Sequence, residues 1–433
     1  MRQIQLLIIV ITIYISDANA NIIRDSEIEE SIELIIAPLR KASGLKELKI
    51  YIIDDPIPNA FTAGGNNIFI NSGLIIKNPD PDILRGVIAH EIGHILGKHV
   101  IRRQEVVDNY QKAAFGATAL GLAAAISSGS TEGLVVATMG GTHIAERSIY
   151  AYSRNFESSA DQAALKILEK SSHSSIGLIN FFKKMQMFSK NSMVNPYDRT
   201  HPSSNDRLRI LRSSNEKSRF KNSQNNDDII YKYARSSAKL AAFTLDLDKT
   251  PSCSYEQNAD EVTHYMKAIK CFRIGDFDNS LNHINHLIME HPNDPYYHEF
   301  KAQLYFESGR KEALGEYIIA SKEKPNDVLI RLGKAIVGIK TNINNPRNLN
   351  KFYKDLQFIL QKEPENLLAR YYLAIYYEKK GLTGKSHLNT AIISLHSGRN
   401  DDARKMAISA IKLLPKNSPD WYQASDILAA TKR

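Results

Sequence analysis

Asp82-Ile83-Leu84-Arg85-Gly86-Val87-Ile88-Ala89-His90-Glu91-Ile92-Gly93-His94-Ile95-Leu96-Gly97-Lys98-His99 is the stretch from which the rest of the chain can be read. Its apolar residues, Ile83, Leu84, Val87, Ile88, Ile92, Ile95 and Leu96, recur at helical spacing and predict a core helix over 82–99. Asn78-Pro79-Asp80-Pro81 ahead of it is a start signal, with Asp80 as N-cap and Pro81 in the first turn. Inside the helix, His90-Glu91-Ile92-Gly93-His94 is an H-E-x-x-H motif. Positions i and i+4 put both imidazoles on one face, one turn apart, the separation that two ligands of a single Zn²⁺ require. Glu91 stands beside them, placed to take a proton from water on such a metal. The bare motif arises by chance often enough that a third ligand has to decide its meaning.

One known extension of the motif needs a histidine at position 100, which is Val100. The histidine is His99, and one residue along a helix is about 100° of rotation, so His99 is expected to face elsewhere. The next long helix, expected from about Ile149 to Ser171, offers Glu157-Ser158-Ser159-Ala160-Asp161 instead. Glu157 and Asp161 are again i and i+4, with Phe156, Ala160, Ala163, Ala164 and Leu168 able to pack. Glu157 is a candidate ligand, and Asp161 a candidate acceptor that fixes the tautomer of a ligand histidine. Taken alone the two would read as a solvated acidic pair; beside an H-E-x-x-H helix the ligand reading is favoured.

Upstream, residues 22–44 carry apolar residues at helical spacing, and 48–54 reads as a strand ended by Pro56 and Pro58. Asn59 to Asn71, with Gly64-Gly65-Asn66 in the middle, reads as a hairpin or meander. Residues 113–142 are rich in Ala and Gly, with Glu132 alone charged. They read either as a small-residue hairpin packed on the domain or as a flap giving peripheral contact with a membrane or a partner. Downstream, His201-Pro202 begins a turn, a polar stretch covers 213–228, and a helix is expected over 229–245.

In their order and joint occurrence these pieces resemble the HtpX/BepA type of gluzincin zinc endopeptidases. The matching residues are His90-Glu91-Ile92-Gly93-His94, then Glu157 with Ala160-Asp161. Asn59-Ala60-Phe61, Gly64-Gly65, Ile68-Phe69-Ile70 and Gly73-Leu74 match upstream, and His201-Pro202-Ser203-Ser204 with Arg207 downstream. The resemblance covers about residues 22–250. It implies one Zn²⁺ per chain on His90, His94 and Glu157, with Glu91 as general base. It also implies that His201 lies over the metal, as an occluding fourth ligand or as a transition-state donor, although His201 alone would read as a surface histidine. Asn67, Ile68, Phe69 and Ile70, through Asn71, resemble the family's substrate-aligning edge strand, to which an extended peptide could add by main-chain hydrogen bonds. Such sequence-tolerant binding suits unfolded or misassembled polypeptides.

Residues 257–433 repeat. Gly275-Asp276-Phe277 and Gly309-Arg310-Lys311 are 34 residues apart, the tetratricopeptide period. Pro292-Asn293-Asp294, Pro325-Asn326-Asp327, Pro364-Glu365-Asn366 and Pro415-Lys416-Asn417 close the second helices. Glycine-to-proline spacings are 17 (275 to 292), 16 (309 to 325) and 17 (398 to 415). We expect about four helix–turn–helix units, an irregular insertion over 339–350 and a closing helix from Trp421 to Ala430. The predicted architecture is therefore an α+β zincin-like metallopeptidase domain over 21–250, mostly helical with a small sheet, followed by an all-α tetratricopeptide-repeat solenoid over 257–433.

Charge follows the same division. Residues 1–200 hold 20 Lys+Arg and 20 Asp+Glu, whereas 201–433 hold 36 and 27 and so carry all of the +9. The repeats themselves are +6, with 26 basic and 20 acidic residues. A concave repeat surface of that sign fits acidic proteins or anionic lipid as partners, or ordinary solubility. Arg2, the apolar run Leu6 to Ile15 and Ala18-Asn19-Ala20 follow the grammar of a secretory signal peptide over 1–20, cleaved after Ala20. Export to a periplasm excludes nucleic acid as the expected partner and permits Cys253 and Cys271 to pair, though spacing leaves pairing and two free thiols equally open. By resemblance the expected role is a periplasmic zinc endopeptidase in quality control of outer-membrane protein assembly, with chaperone character and the assembly machinery as partner. The competing expectation is a tetratricopeptide scaffold or chaperone whose peptidase part is silent.

Overall fold

The computed structural model describes residues 22–102, 154–191, 201, 205–256 and 258–431. The signal segment 1–20 and the Ala/Gly-rich 113–142 lie outside the described residues. The chain divides into two compact units, one of residues 28–240 and one formed by the N-terminal segment to Glu27 together with 241–433. Among the described residues no helix is long and apolar enough to cross a membrane.

The second of these units is helical. Among the described residues it holds ten helices between Glu261 and Ala430, each packed on the next. Pro295–Glu307, Val328–Thr341 and Leu367–Lys379 also touch in succession, so alternate helices stack. The turn chemistry read from the sequence acts as helix capping. Asp294 accepts hydrogen bonds from the backbone of Tyr296 and Tyr297 with Pro295 at the first helical position, and Asp327 caps Leu329 and Ile330 in the same way. Gly275 sits at φ 81, a left-handed turn that a side chain would strain, between Glu261–Ile274 and Phe277–Glu290. Most tyrosines are core: Tyr297, Tyr372, Tyr376 and Tyr377 are buried, whereas Tyr371 is exposed. Cys253 and Cys271 are joined by a disulfide, with their Cα atoms 5.4 Å apart. Within the same unit, Arg24 pairs with Glu363 at 2.8 Å and Glu27 accepts a hydrogen bond from the Tyr265 hydroxyl at 2.9 Å.

In the 28–240 unit, strand Asn67–Asn71 lies between two partners. It pairs parallel with Lys49–Ile53 and antiparallel with Ala60–Thr62. Alternation sorts the strands' faces: Ile52, Ala60, Ile68 and Ile70 are buried, while Tyr51, Phe69 and Phe61 stack across three strands with ring centroids 5.2 and 5.3 Å apart. This corrects one expectation. Asn67, Ile68, Phe69 and Ile70 do not form an edge strand, because their main-chain groups are committed on both sides. The outer strand is Ala60–Thr62, and it packs against the motif helix.

The motif helix is Pro81–Leu96, capped by the Asp80 carboxylate on the Asp82 N–H at 2.9 Å. Its last residue is Leu96, three short of the His99 end expected from the sequence, with Gly97 as C-cap. Every residue from Ile83 to His94 is buried, so the helix is a central rod with neighbours all round. Close approach requires glycines. A Cβ at Gly86 would fall 2.4 Å from the Leu178 backbone nitrogen of helix Ile176–Asn191, and one at Gly93 would fall 2.6 Å from the Ala160 carbonyl oxygen. Gly93→Ala is expected to force the two helices apart and lower stability by about 1–3 kcal/mol. A urea midpoint equal to wild type would contradict this packing.

Candidate metal centre

Two helices and a bend supply the site. His90 and His94 stand on Pro81–Leu96, Glu157 and Asp161 on the helix covering 154–170, and His201 in a bend ahead of Asn205–Lys217. The Gly93–Ala160 contact sets the spacing of the first two helices, because Ala160 lies between Glu157 and Asp161 on the facing turn.

His90, His94, Glu157 and His201 each present one ligand atom, and these atoms all lie within 4.8 Å of one another. His90 Nε2 is 3.1 Å from His94 Nε2, 3.4 Å from His201 Nδ1 and 3.3 Å from Glu157 Oε2. His94 Nε2 is 3.5 Å from Glu157 Oε1, and His201 Nδ1 is 3.3 Å from Glu157 Oε2. All four are at most 4% exposed. Glu91 points beside this group, with Oε1 3.4 Å from His201 Nε2. Behind the ligands, Asp161 Oδ1 lies 3.0 Å from His90 Nδ1. Arg207 grips Asp161 through Nε at 2.7 Å and Nη2 at 2.9 Å, reaches Glu157 Oε2 with Nη1 at 3.1 Å, and lies over the Phe182 ring at 4.6 Å.

The electrostatics fit a cation. Three buried carboxylates, Glu91, Glu157 and Asp161, face one guanidinium, Arg207, which leaves two negative charges for a divalent ion to offset. Both oxygens of Glu91 and Oε1 of Glu157 are buried without a side-chain hydrogen-bond donor among the described residues. The titrating groups respond accordingly. Burial opposes charge on His90, but Asp161 and Glu157 outweigh it and raise its pKa to about 9. Burial, and then the charge of His90, hold His94 well below its ordinary value. Burial works against the Glu157 anion, but hydrogen bonds from His201 and His90 overcome it and hold its pKa far down. Glu91 is pushed up chiefly by burial, against the opposing charges of His201 and His90 and a hydrogen bond from the Thr62 backbone. Three imidazoles and a carboxylate are a donor set that zinc accepts, so the residues fit one such ion.

The structure thus brings together His90, His94, Glu157 and His201, with Glu91 alongside and Asp161 behind. Two residues exceed their sequence reading. Arg207, which the sequence marks only as a family position, ties both carboxylates of its neighbouring helix. His99 does not face elsewhere: it is buried, with Nδ1 3.0 Å from His94 Nδ1. Helical rotation does not apply to His99, because the helix ends at Gly97 and Lys98 takes a left-handed φ of 53. The available signal was Gly97 itself, a helix stop inside the stretch treated as continuous.

Residues 23–215 match the model of Peptidase family M48. They form a Peptidase family M48 domain. Among curated relatives, the chain is 24% identical over 330 residues to the Beta-barrel assembly-enhancing protease of Escherichia coli (strain K12), covering 74% of this chain and 63% of that protein. The chain therefore spans less than two thirds of that relative's length. It is 30% identical over 165 residues to Metalloprotease YcaL of the same organism, covering 38% of this chain and 60% of that one. It is 37% identical over 71 residues to a Protease HtpX homolog of Persephonella marina, covering 16% of this chain and 24% of that protein. The matched residues 23–215 include His90, Glu91, His94, Glu157, Asp161 and His201.

Arg207→Met should leave two buried carboxylates without their cation. The expected loss in the metal-free protein is about 3–5 kcal/mol by urea denaturation. A loss below about 1 kcal/mol would show that water reaches Asp161 and Glu157.

Proposed function

We propose that this chain is a zinc-dependent endopeptidase that cleaves unfolded or misassembled polypeptides in a periplasm. The observation that carries the reading is the Glu91 carboxylate, buried without a side-chain hydrogen-bond donor among the described residues and set beside the buried His90, His94, Glu157 and His201 group. A silent peptidase domain in a scaffold or chaperone would have no use for such a group, which is costly to bury. His90, His94 and Glu157 would hold the ion. Bound zinc supplies a Lewis acid for a peptide carbonyl and acidifies water. Glu91, its proton affinity raised by burial, accepts a proton from the attacking water and returns it to the leaving amine. Asp161, clamped by Arg207, keeps His90 oriented with its Nε2 toward the group. An extended substrate would pair with the outer strand Ala60–Thr62 beside the motif helix, through main-chain hydrogen bonds that tolerate many sequences.

The relatives' names support a role in outer-membrane protein assembly, and the Cys253–Cys271 disulfide supports an oxidising compartment. The helical unit reads as a tetratricopeptide stack, supported by the 34-residue period, the capped turns and the stacking of alternate helices. We take its role to be binding a protein partner such as assembly machinery, with a chaperone contribution.

Purified chain loaded with zinc should cleave casein, lose activity with a chelator and regain it with added zinc. Glu91→Gln should keep one zinc per chain while cleavage falls at least about 100-fold. A Glu91→Gln protein that cleaves like wild type would refute the reading. His201→Ala separates the two roles its position allows, since cleavage rises if His201 occludes the ion and falls if it assists the transition state.

A further inference from the structure

We propose that His99 is a positioning residue for His94, accepting a hydrogen bond from His94 Nδ1–H and so holding the tautomer that presents the Nε2 lone pair to a metal. The inference rests on the reading of the buried group as a metal site.

The geometry leaves little choice of protons. His99 Nδ1 and His94 Nδ1 are 3.0 Å apart, with the rings at 82°. At that distance one nitrogen donates and the other accepts. The other nitrogen of His94, Nε2, lies among the ligand atoms, 3.1 Å from His90 Nε2 and 3.5 Å from Glu157 Oε1. To bind a cation there it must offer a lone pair. A neutral imidazole has one N–H, so the proton of His94 resides on Nδ1 and His99 Nδ1 accepts it. His99 then carries its own proton on Nε2.

The fold holds His99 in that role. The chain leaves the motif helix at Gly97 and turns through the left-handed Lys98, which swings the His99 ring back over the last helical turn. A Cβ at residue 97 would fall 2.1 Å from His99 Nε2, so glycine leaves the room the ring occupies. Phe156 stacks on the ring at 4.5 Å and 20°, and it immediately precedes Glu157. Each helix histidine thus has a partner at its far nitrogen: the Asp161 carboxylate for His90 and an imidazole for His94. A neutral acceptor on the second adds no anion to a site that already buries three carboxylates.

The test compares two variants of the full chain, with zinc affinity read by competition against a chromogenic chelator. His99→Phe keeps a ring against Phe156 and over Gly97 but removes the acceptor. His99→Asn gives up the ring and keeps an acceptor oxygen near the position of Nδ1. Zinc affinity should fall about 10–100-fold in His99→Phe and stay close to wild type in His99→Asn. Wild-type affinity in His99→Phe would overturn the proposal, and so would an equal loss in both variants, which would assign His99 to packing. Independently of either variant's folding, ¹⁵N NMR of the zinc-loaded wild type should place the proton on His94 Nδ1. A proton on His99 Nδ1 would also overturn the proposal. A wild-type chain that binds no zinc would instead sink the metal-site reading, and the proposal with it.

Discussion

Keeping Glu157 and Asp161 out of water beside a histidine pair is the constraint from which the rest of the first unit follows. Neither carboxylate is more than 3% exposed, and an isolated anion so placed would take up a proton. Arg207 prevents that by bonding Asp161 through two nitrogens and Glu157 through a third. For Arg207 to reach them, helix Asn205–Lys217 must end against the helix of residues 154–170. For the carboxylates to reach His90 and His94, that helix must in turn lie against Gly93. The packing of three helices is therefore dictated by a charge problem as much as by apolar burial.

Much of this was legible in the sequence because it is local. The i, i+4 pairs His90/His94 and Glu157/Asp161 share helix faces by geometry alone, and Asp80-Pro81 announces the start of the motif helix. The Pro-Asn-Asp turns of the second unit were legible for the same reason, since Asp294 and Asp327 act within three residues of themselves. What was not legible depends on how separate segments meet. A strand's place in a sheet is one such property: Asn67–Asn71 has the alternation of a strand, but nothing in its own residues says that Lys49–Ile53 will cover its second side. His99 is another. A helical wheel turns it away from His94, and the wheel ceases to apply where Gly97 and Lys98 leave helical geometry. The disulfide is a third, because an 18-residue spacing permits pairing without requiring it.

Exchanging the edge strand alters the substrate reading in a specific way. Ala60–Thr62 has three residues in the ladder, against five for Asn67–Asn71. A peptide added there gains few main-chain hydrogen bonds, each worth about 0.5–1.5 kcal/mol net. A short outer strand therefore supplies only part of the affinity that an extended chain would need.

The four clustered side chains are not equivalent in how the fold holds them. His90, His94 and Glu157 stand in helix interiors, where rotation about the axis is fixed by burial on several sides, and Asp161 and His99 stand behind the two histidines. His201 comes from a bend between segments, not from a helix, and its second nitrogen lies 3.4 Å from Glu91 Oε1. A movement of His201 would therefore change the surroundings of the ligand group and of Glu91 together, while leaving the helix-borne His90, His94 and Glu157 in place. A metallopeptidase needs an open coordination position and a base beside it at the moment of reaction. Of the four clustered side chains, His201 alone is carried by backbone outside helix or strand, so it is the one that can move without moving a helix.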